Sequence, residues 1–202
     1  ASRRNWRAAQ SHFERAIRIW ESALGAAHPS VAAGLLNLAS VHMEKSRFDA
    51  ADILLRRALR IDEAVSGAIH PRLADDFDQL GQLEHLRGKH DAASRWFEQS
   101  LAVSNSIYGE DSIESAHRLA KLAEEHRLGG RSRQAADCYE RAIHRLAARL
   151  GKLDPALLMP LSAYEQALRS LQEYALAAKA AQWATDIEYA RILNAGRLPT
   201  GM

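Results

Sequence analysis

The chain lacks most of the marks of a catalytic, secreted or membrane protein. It has one cysteine, Cys138, in 202 residues. An intrachain disulfide is therefore excluded, and a lone thiol fits the cytoplasm or another reducing compartment. No apolar run approaches the roughly 18 residues of a membrane span. No signal peptide pattern is visible. The chain opens at Ala1 rather than an initiator methionine, so a targeting segment outside this stretch stays an open alternative. Excess charge of either sign is also missing, since 27 basic and 25 acidic side chains leave a net charge of +2. That balance argues against a nucleic-acid footprint or an anionic membrane surface. Proline occurs only 5 times, and alternating β-branched stretches are absent, so strands are not expected.

What is present is alanine, leucine, arginine and glutamate in a repeating order. These are strong helix formers. An Ala-x6-Ala pair at Ala9 and Ala16 recurs 42 residues later at Ala51 and Ala58, then at Ala93 and Ser100, Ala135 and Ala142, and Ala177 and Ala184. No gap is needed. Three residues before the second member stand Phe13, Leu55, Phe97, Tyr139 and Ala181. A second register runs through Gly25, Gly67, Gly109 and Gly151, followed three residues on by His28, His70, Ser112 and Asp154. Glycine suits the left-handed end of a helix. Ser112 and Asp154 are N-cap types, and proline at 29, 71 and 155 suits a first helical position. The two histidines read as poorer caps. A third register, Leu35, Phe77, Leu119 and Leu161 with Leu38, Leu80, Leu122 and Tyr164, is apolar and marks the core.

Each period thus holds two helices. Helix A is predicted near 29–45, 71–87, 113–129 and 155–171. Helix B is predicted near 5–24, 48–66, 90–108, 132–150 and 174–193. The expected organisation is a single array over 1–195. It comprises a partial repeat (helix B only, 5–24) and full repeats at about 29–66, 71–108, 113–150 and 155–193. A flexible tail follows over 196–202. The first helix B has no helix A before it. Either the native protein continues upstream, or this end meets another chain.

At these residues the pattern resembles the tetratricopeptide repeat, in which helix A carries Leu-Gly and helix B carries Ala…Phe…Ala. The same core reads here as Leu38-Ala39…Ala51…Leu55…Ala58 and Leu80-Gly81…Ala93…Phe97. The period is about 8 residues longer than the usual 34. With Gly-x-x-His-Pro and Leu35-Leu36-Asn37-Leu38-Ala39, it is similar to the kinesin light chain and nephrocystin-3 type. The resemblance implies an all-α fold: a right-handed superhelical α-solenoid of antiparallel helix pairs, with about nine helices. It also implies a non-catalytic scaffold whose helices A line a concave groove for a protein or peptide. Two other readings stand beside it. The chain could be an assembly module that forms a homo-oligomer through its exposed ends, or a regulatory domain excised from a larger protein.

The groove candidates that follow from this register are Asn37, Ser40 and Met43 in the first full repeat, and Asp75, Asp78, Gln79 and Gln82 in the second. His117, Lys121, Glu124 and Arg127 follow in the third, and Gln166 and Arg169 in the fourth. The asparagine at 37 becomes Gln79, Lys121 and Ala163 in later repeats. Lys121, Arg127 and Arg169 suggest a partner with an acidic segment; an ordinary solvated face is the alternative. Trp183 occupies a column otherwise filled by Arg15, Arg57, Gln99 and Arg141. It is expected either to pack under the tail or to form an interface. No cofactor, metal or catalytic constellation is predicted. The nine histidines show no zinc spacing. Cys138 has no activating base placed by sequence and reads as a structural thiol.

Overall fold

The computed structural model describes residues 3–67 and 69–195. It contains α1 (Arg3–Leu24), α2 (Pro29–Glu44), α3 (Phe48–Ser66), α4 (Pro71–Leu86), α5 (His90–Tyr108), α6 (Ile113–Leu128) and α7 (Ser132–Leu150). A single 3₁₀ turn (Pro155–Leu157) then leads into α8 (Leu158–Ser170), and α9 (Tyr174–Ala195) ends the described chain. No strand occurs among the described residues. Among the described residues no helix is long and apolar enough to cross a membrane. The expected tail at 196–202 lies outside the described residues.

The period is written into the helix boundaries. The first elements of the pairs start at Pro29, Pro71, Ile113 and Pro155, and the second at Phe48, His90, Ser132 and Tyr174, each 42 after the last. The turns repeat as well. Gly25, Gly67, Gly109 and Gly151 all have positive φ, between 70° and 96°. The tighter turn inside each pair also needs one left-handed residue. It falls on Ser46, Gly88, Gly130 and Gln172, again 42 apart, so two of the four are not glycine. A left-handed conformation crowds Cβ in any other residue, which makes Ser46 and Gln172 strained positions.

The helix starts bring a correction. His28 and His70 were expected to be poor caps, yet both close their helices. His28 Nδ1 accepts a hydrogen bond from the Ser30 amide, and His70 Nδ1 accepts one from the Arg72 amide, both at 3.2 Å. An imidazole with an unprotonated Nδ1 offers a lone pair where serine offers a hydroxyl oxygen. Ser112 accepts from the Ser115 amide at 3.1 Å, and Asp154 accepts from the Ala156 amide at 2.8 Å.

Two compact units make up the chain, residues 1–107 and residues 108–202. In the first, Ile17, Val31, Ala32, Leu35, Leu38, Ala58 and Ile61 form one core cluster. Ala39, Met43, Ala51, Leu55, Leu80 and Leu83 form another. Within the Ala-x6-Ala columns Ala51, Ala58, Ala93, Ala135, Ala142 and Ala177 are buried, which lets helix backbones approach closely, whereas Ala9, Ala16 and Ala184 at the two ends are half-buried. Gly34 and Gly81 extend this close fit. A Cβ on Gly34 would lie 2.8 Å from Ile17, and one on Gly81 would lie 2.8 Å from the Phe97 ring. Phe77 is only half-buried and stacks on Trp96, with ring centroids 5.9 Å apart.

The second unit has one continuous core, in which Tyr139, Ile143, Leu146, Leu157, Leu161, Leu168 and Ile187 are the large members. Cys138 is half-buried against this core.

Candidate functional site

In the first unit, helix A periodicity places the predicted groove residues unevenly. Asn37, Asp75 and Gln82 are exposed; Ser40, Asp78 and Gln79 are half-buried. Ser40 turns its hydroxyl back onto the Leu36 carbonyl at 3.1 Å. Met43 is a correction to the groove expectation. It is only 7% exposed and sits in the core with Ala39, Ala51 and Leu55. Position 43 follows Ala39 by one helical turn, so it shares the inward stripe.

Beneath these helices lies a feature that the sequence register did not single out. Asp62 on α3 and Asp76 on α4 are both 1% exposed. Burial and the neighbouring Asp62 carboxylate push Asp76 up from 3.8 to about 7. Asp62 is raised by burial too, against the opposing pull of Arg72, whose Nη1 stands 3.5 Å away. Two carboxyls this close and this dry cannot both ionise cheaply. The signal available in the sequence was an acid standing where the first repeat has Gly34, fitted under Trp20.

In the second unit the candidates converge. His117, Lys121, Glu124 and Arg127 descend one face of α6, and Gln166 faces them from α8. Together with Tyr139 of α7 they line a groove of about 810 Å³. Spacings of three and four residues bring these α6 side chains to one face. The α8 side adds residues of a different kind, with Ala156, Met159, Pro160 and Ala163 giving that wall an apolar surface. Met159 is 81% exposed, which is unusual for a large apolar side chain in the middle of such a wall.

The floor of this groove is an ordered polar triad. Arg127 donates from Nε to Glu124 Oε2 at 2.7 Å and from Nη2 to Oε1 at 2.6 Å. Tyr139 donates its hydroxyl to Glu124 Oε2 at 2.6 Å. The hydrogen bonds to Glu124 hold the Arg127 guanidinium charged, well above its ordinary range. Burial, and then the Glu124 carboxylate, push the Tyr139 phenol upward. Such a two-pronged arginine–carboxylate contact is geometrically specific. It also changes the charge pattern expected from the sequence. Arg127 is neutralised within the protein. Arg169 pairs with Glu165 at 2.7 Å on its own helix and does not line this groove. His126, on α6, is buried and accepts from Arg131 Nε at 3.0 Å.

Trp183 has a third use, beyond the two weighed from sequence. Its indole Nε1 donates to the Lys152 carbonyl at 2.6 Å, which ties α9 to the loop before the 3₁₀ turn.

Comparison with known proteins places this architecture. Similar solved structures include a kinesin light chain-type protein of Podosopora anserina with nearly identical TPR-like repeats. It is 18% identical, with a TM-score of 0.79, over 92% of this chain and 88% of that one. MamA is 18% identical with a TM-score of 0.65, over 95% of this chain and 98% of that one. BtubC from P. vanneervenii is 15% identical with a TM-score of 0.62, over 98% of this chain and 95% of that one. At these identities the likeness is one of fold. No curated protein matches the sequence. The tetratricopeptide repeat family model matches residues 1–64 and 73–147, more than half of the chain. With the 42-residue helix pairs and the Ala-x6-Ala packing, this chain therefore belongs to the tetratricopeptide repeat family.

Proposed function

We propose that the chain is a non-catalytic scaffold that holds a protein segment in the α6–α8 groove. Tetratricopeptide repeats generally serve as protein-interaction scaffolds, and that is the coarse role of this chain. The single observation that carries the finer reading is the groove itself. It is an open trough of about 810 Å³ that pairs an apolar wall around Met159 with a polar wall around Lys121. Such a surface suits a segment with an apolar residue to cover Met159 and a carboxylate beside it to meet Lys121. The Glu124–Arg127–Tyr139 hydrogen bonds hold these lining side chains in fixed positions.

Selection from a random peptide display library tests this reading. Enriched peptides are expected to carry an apolar residue flanked by Asp or Glu. Their binding should fall at least tenfold in Met159→Asp and in Lys121→Glu. Peptides that bind both variants as tightly as the parent would overturn the assignment of the groove.

A second reading, assembly with another copy of the chain, draws on α9. Its Tyr189 and Ile192 are both 63% exposed. Light scattering at two protein concentrations separates this reading from the first: a mass that stays monomeric at both sinks it.

A further inference from the structure

A second and smaller cavity, of about 210 Å³, lies among α7, α8 and α9. Its origin can be read from the repeat. Ala180 lines it, in a column that holds His12, Leu54, Trp96 and Cys138 in the other repeats. Exchanging a large side chain for alanine leaves room that close packing would otherwise fill. The volume matches one long side chain and falls below the usual range for a drug-sized ligand.

The chemistry of the lining is mixed in an ordered way. Ile143 and Leu161 supply apolar walls from α7 and α8. Tyr164 and Trp183 add two aromatic rings, and Glu140 adds a carboxylate. Trp183 is held in place by its bond to the Lys152 carbonyl, so its ring is already oriented. Glu140 is exposed and ion-pairs with none of the described residues, whereas nearby Glu173 is neutralised by Arg133 at 2.6 Å. Burial pushes the Tyr164 phenol upward, and among the nearby charges the Glu140 carboxylate adds most to that shift. His144 and Lys179 stand in the lining as its basic members.

We propose that this pocket receives one cationic side chain, a lysine or an arginine, from a partner protein. Its alkyl stem would lie against Ile143 and Leu161, with its charge between the Tyr164 and Trp183 rings and beside Glu140. Aromatic faces attract cations through their quadrupole, and an unpaired carboxylate at the same place adds direct attraction. The site is distinct from the α6–α8 groove and does not depend on what that groove holds.

The full chain, labelled with ¹⁵N, tests the proposal by nuclear magnetic resonance. Trp183→Phe identifies the Trp183 indole signal among the 4 tryptophans. The probes are Nα-acetyl-lysine methylamide and Nα-acetyl-arginine methylamide, with Nα-acetyl-norleucine methylamide as the uncharged control. A saturable shift of the Trp183 signal is expected with at least one cationic probe and not with norleucine. Glu140→Gln should weaken that binding at least fivefold. Glu140 is exposed, so this variant should fold as the parent does. Lys179→Ala, which removes a competing positive charge, should tighten the binding. An equal response to norleucine, no saturable shift with either cation, or unchanged binding in Glu140→Gln would each overturn the proposal.

Discussion

The two units carry the same frame and put different chemistry into it. Position by position, Glu124, Arg127 and Tyr139 of the second unit correspond to Gln82, His85 and Phe97 of the first, and before that to Ser40, Met43 and Leu55. In the second unit these columns form a hydrogen-bonded triad under an open groove. In the first unit Phe97 and Leu55 are plain core residues, and Met43 has joined them. The first unit instead buries its polar liability elsewhere, in the Asp62–Asp76 pair. A solenoid period thus constrains backbone packing tightly and side-chain chemistry loosely. One repeat can use a column for stability while another uses it to shape a surface.

The largest expected effect breaks what the units share. Leucine at Ala51 or at Ala135, both fully buried, overpacks the helix contact. Each variant should lose about 1–3 kcal/mol of stability in urea unfolding. A neutral result in either unit would remove the common packing frame.

The next effect sharpens the difference. Asp76 holds its proton more tightly folded, near 7, than unfolded, near 3.8. The stabilisation from that bound proton is therefore fully present below 3.8 and is lost as pH rises through about 7. Asp76→Asn mimics the protonated acid. It should gain on the order of 2 kcal/mol at pH 8, show little difference at pH 4, and flatten the pH dependence between those points. Thermal unfolding across that range checks the sign; a destabilised variant at pH 8 would contradict the buried-acid account.

Removing the keystone of the triad comes third. Glu124→Ala should cost about 1–2 kcal/mol, because it strips the partner from the buried Tyr139 hydroxyl and from Arg127. The combined change to the first unit's residues, Glu124→Gln with Arg127→His and Tyr139→Phe, should recover most of that loss. Equal losses in the two variants would mean that the columns are not interchangeable.

The smallest effect lies in the turns. Gln172→Gly should add about 1 kcal/mol by relieving the left-handed strain, and Ser46→Gly should do the same in the first unit. Gly88→Ala and Gly130→Ala should lose a similar amount.

Much of the candidate site was legible in the sequence as positions. Helix spacing placed His117, Lys121, Glu124 and Arg127 on one face of α6 and named Gln166 in the next repeat, and the structure brings Gln166 to the same groove. It failed where a column's meaning depends on a neighbouring helix. Met43 has the spacing of either a groove or a core residue, and only the approach of α3 and α4 decides between them. Arg127 and Arg169 read as charge for a partner, yet each already has a carboxylate within reach. The histidine caps read as poorer than they are because capping lies in the orientation of one ring nitrogen, which residue type does not specify.

The sequence by itself determined the period, the helices and the family. Those follow from local rules: apolar spacing, glycine at left-handed turns, and small residues where helices touch. Only the tertiary structure decided which polar groups are spent internally and which face outward. Pairing depends on distances between residues far apart in the chain, such as Glu124 to Tyr139 and Trp183 to Lys152. No local pattern encodes those distances. They emerge when small alanines let the helices close to a particular separation and no further.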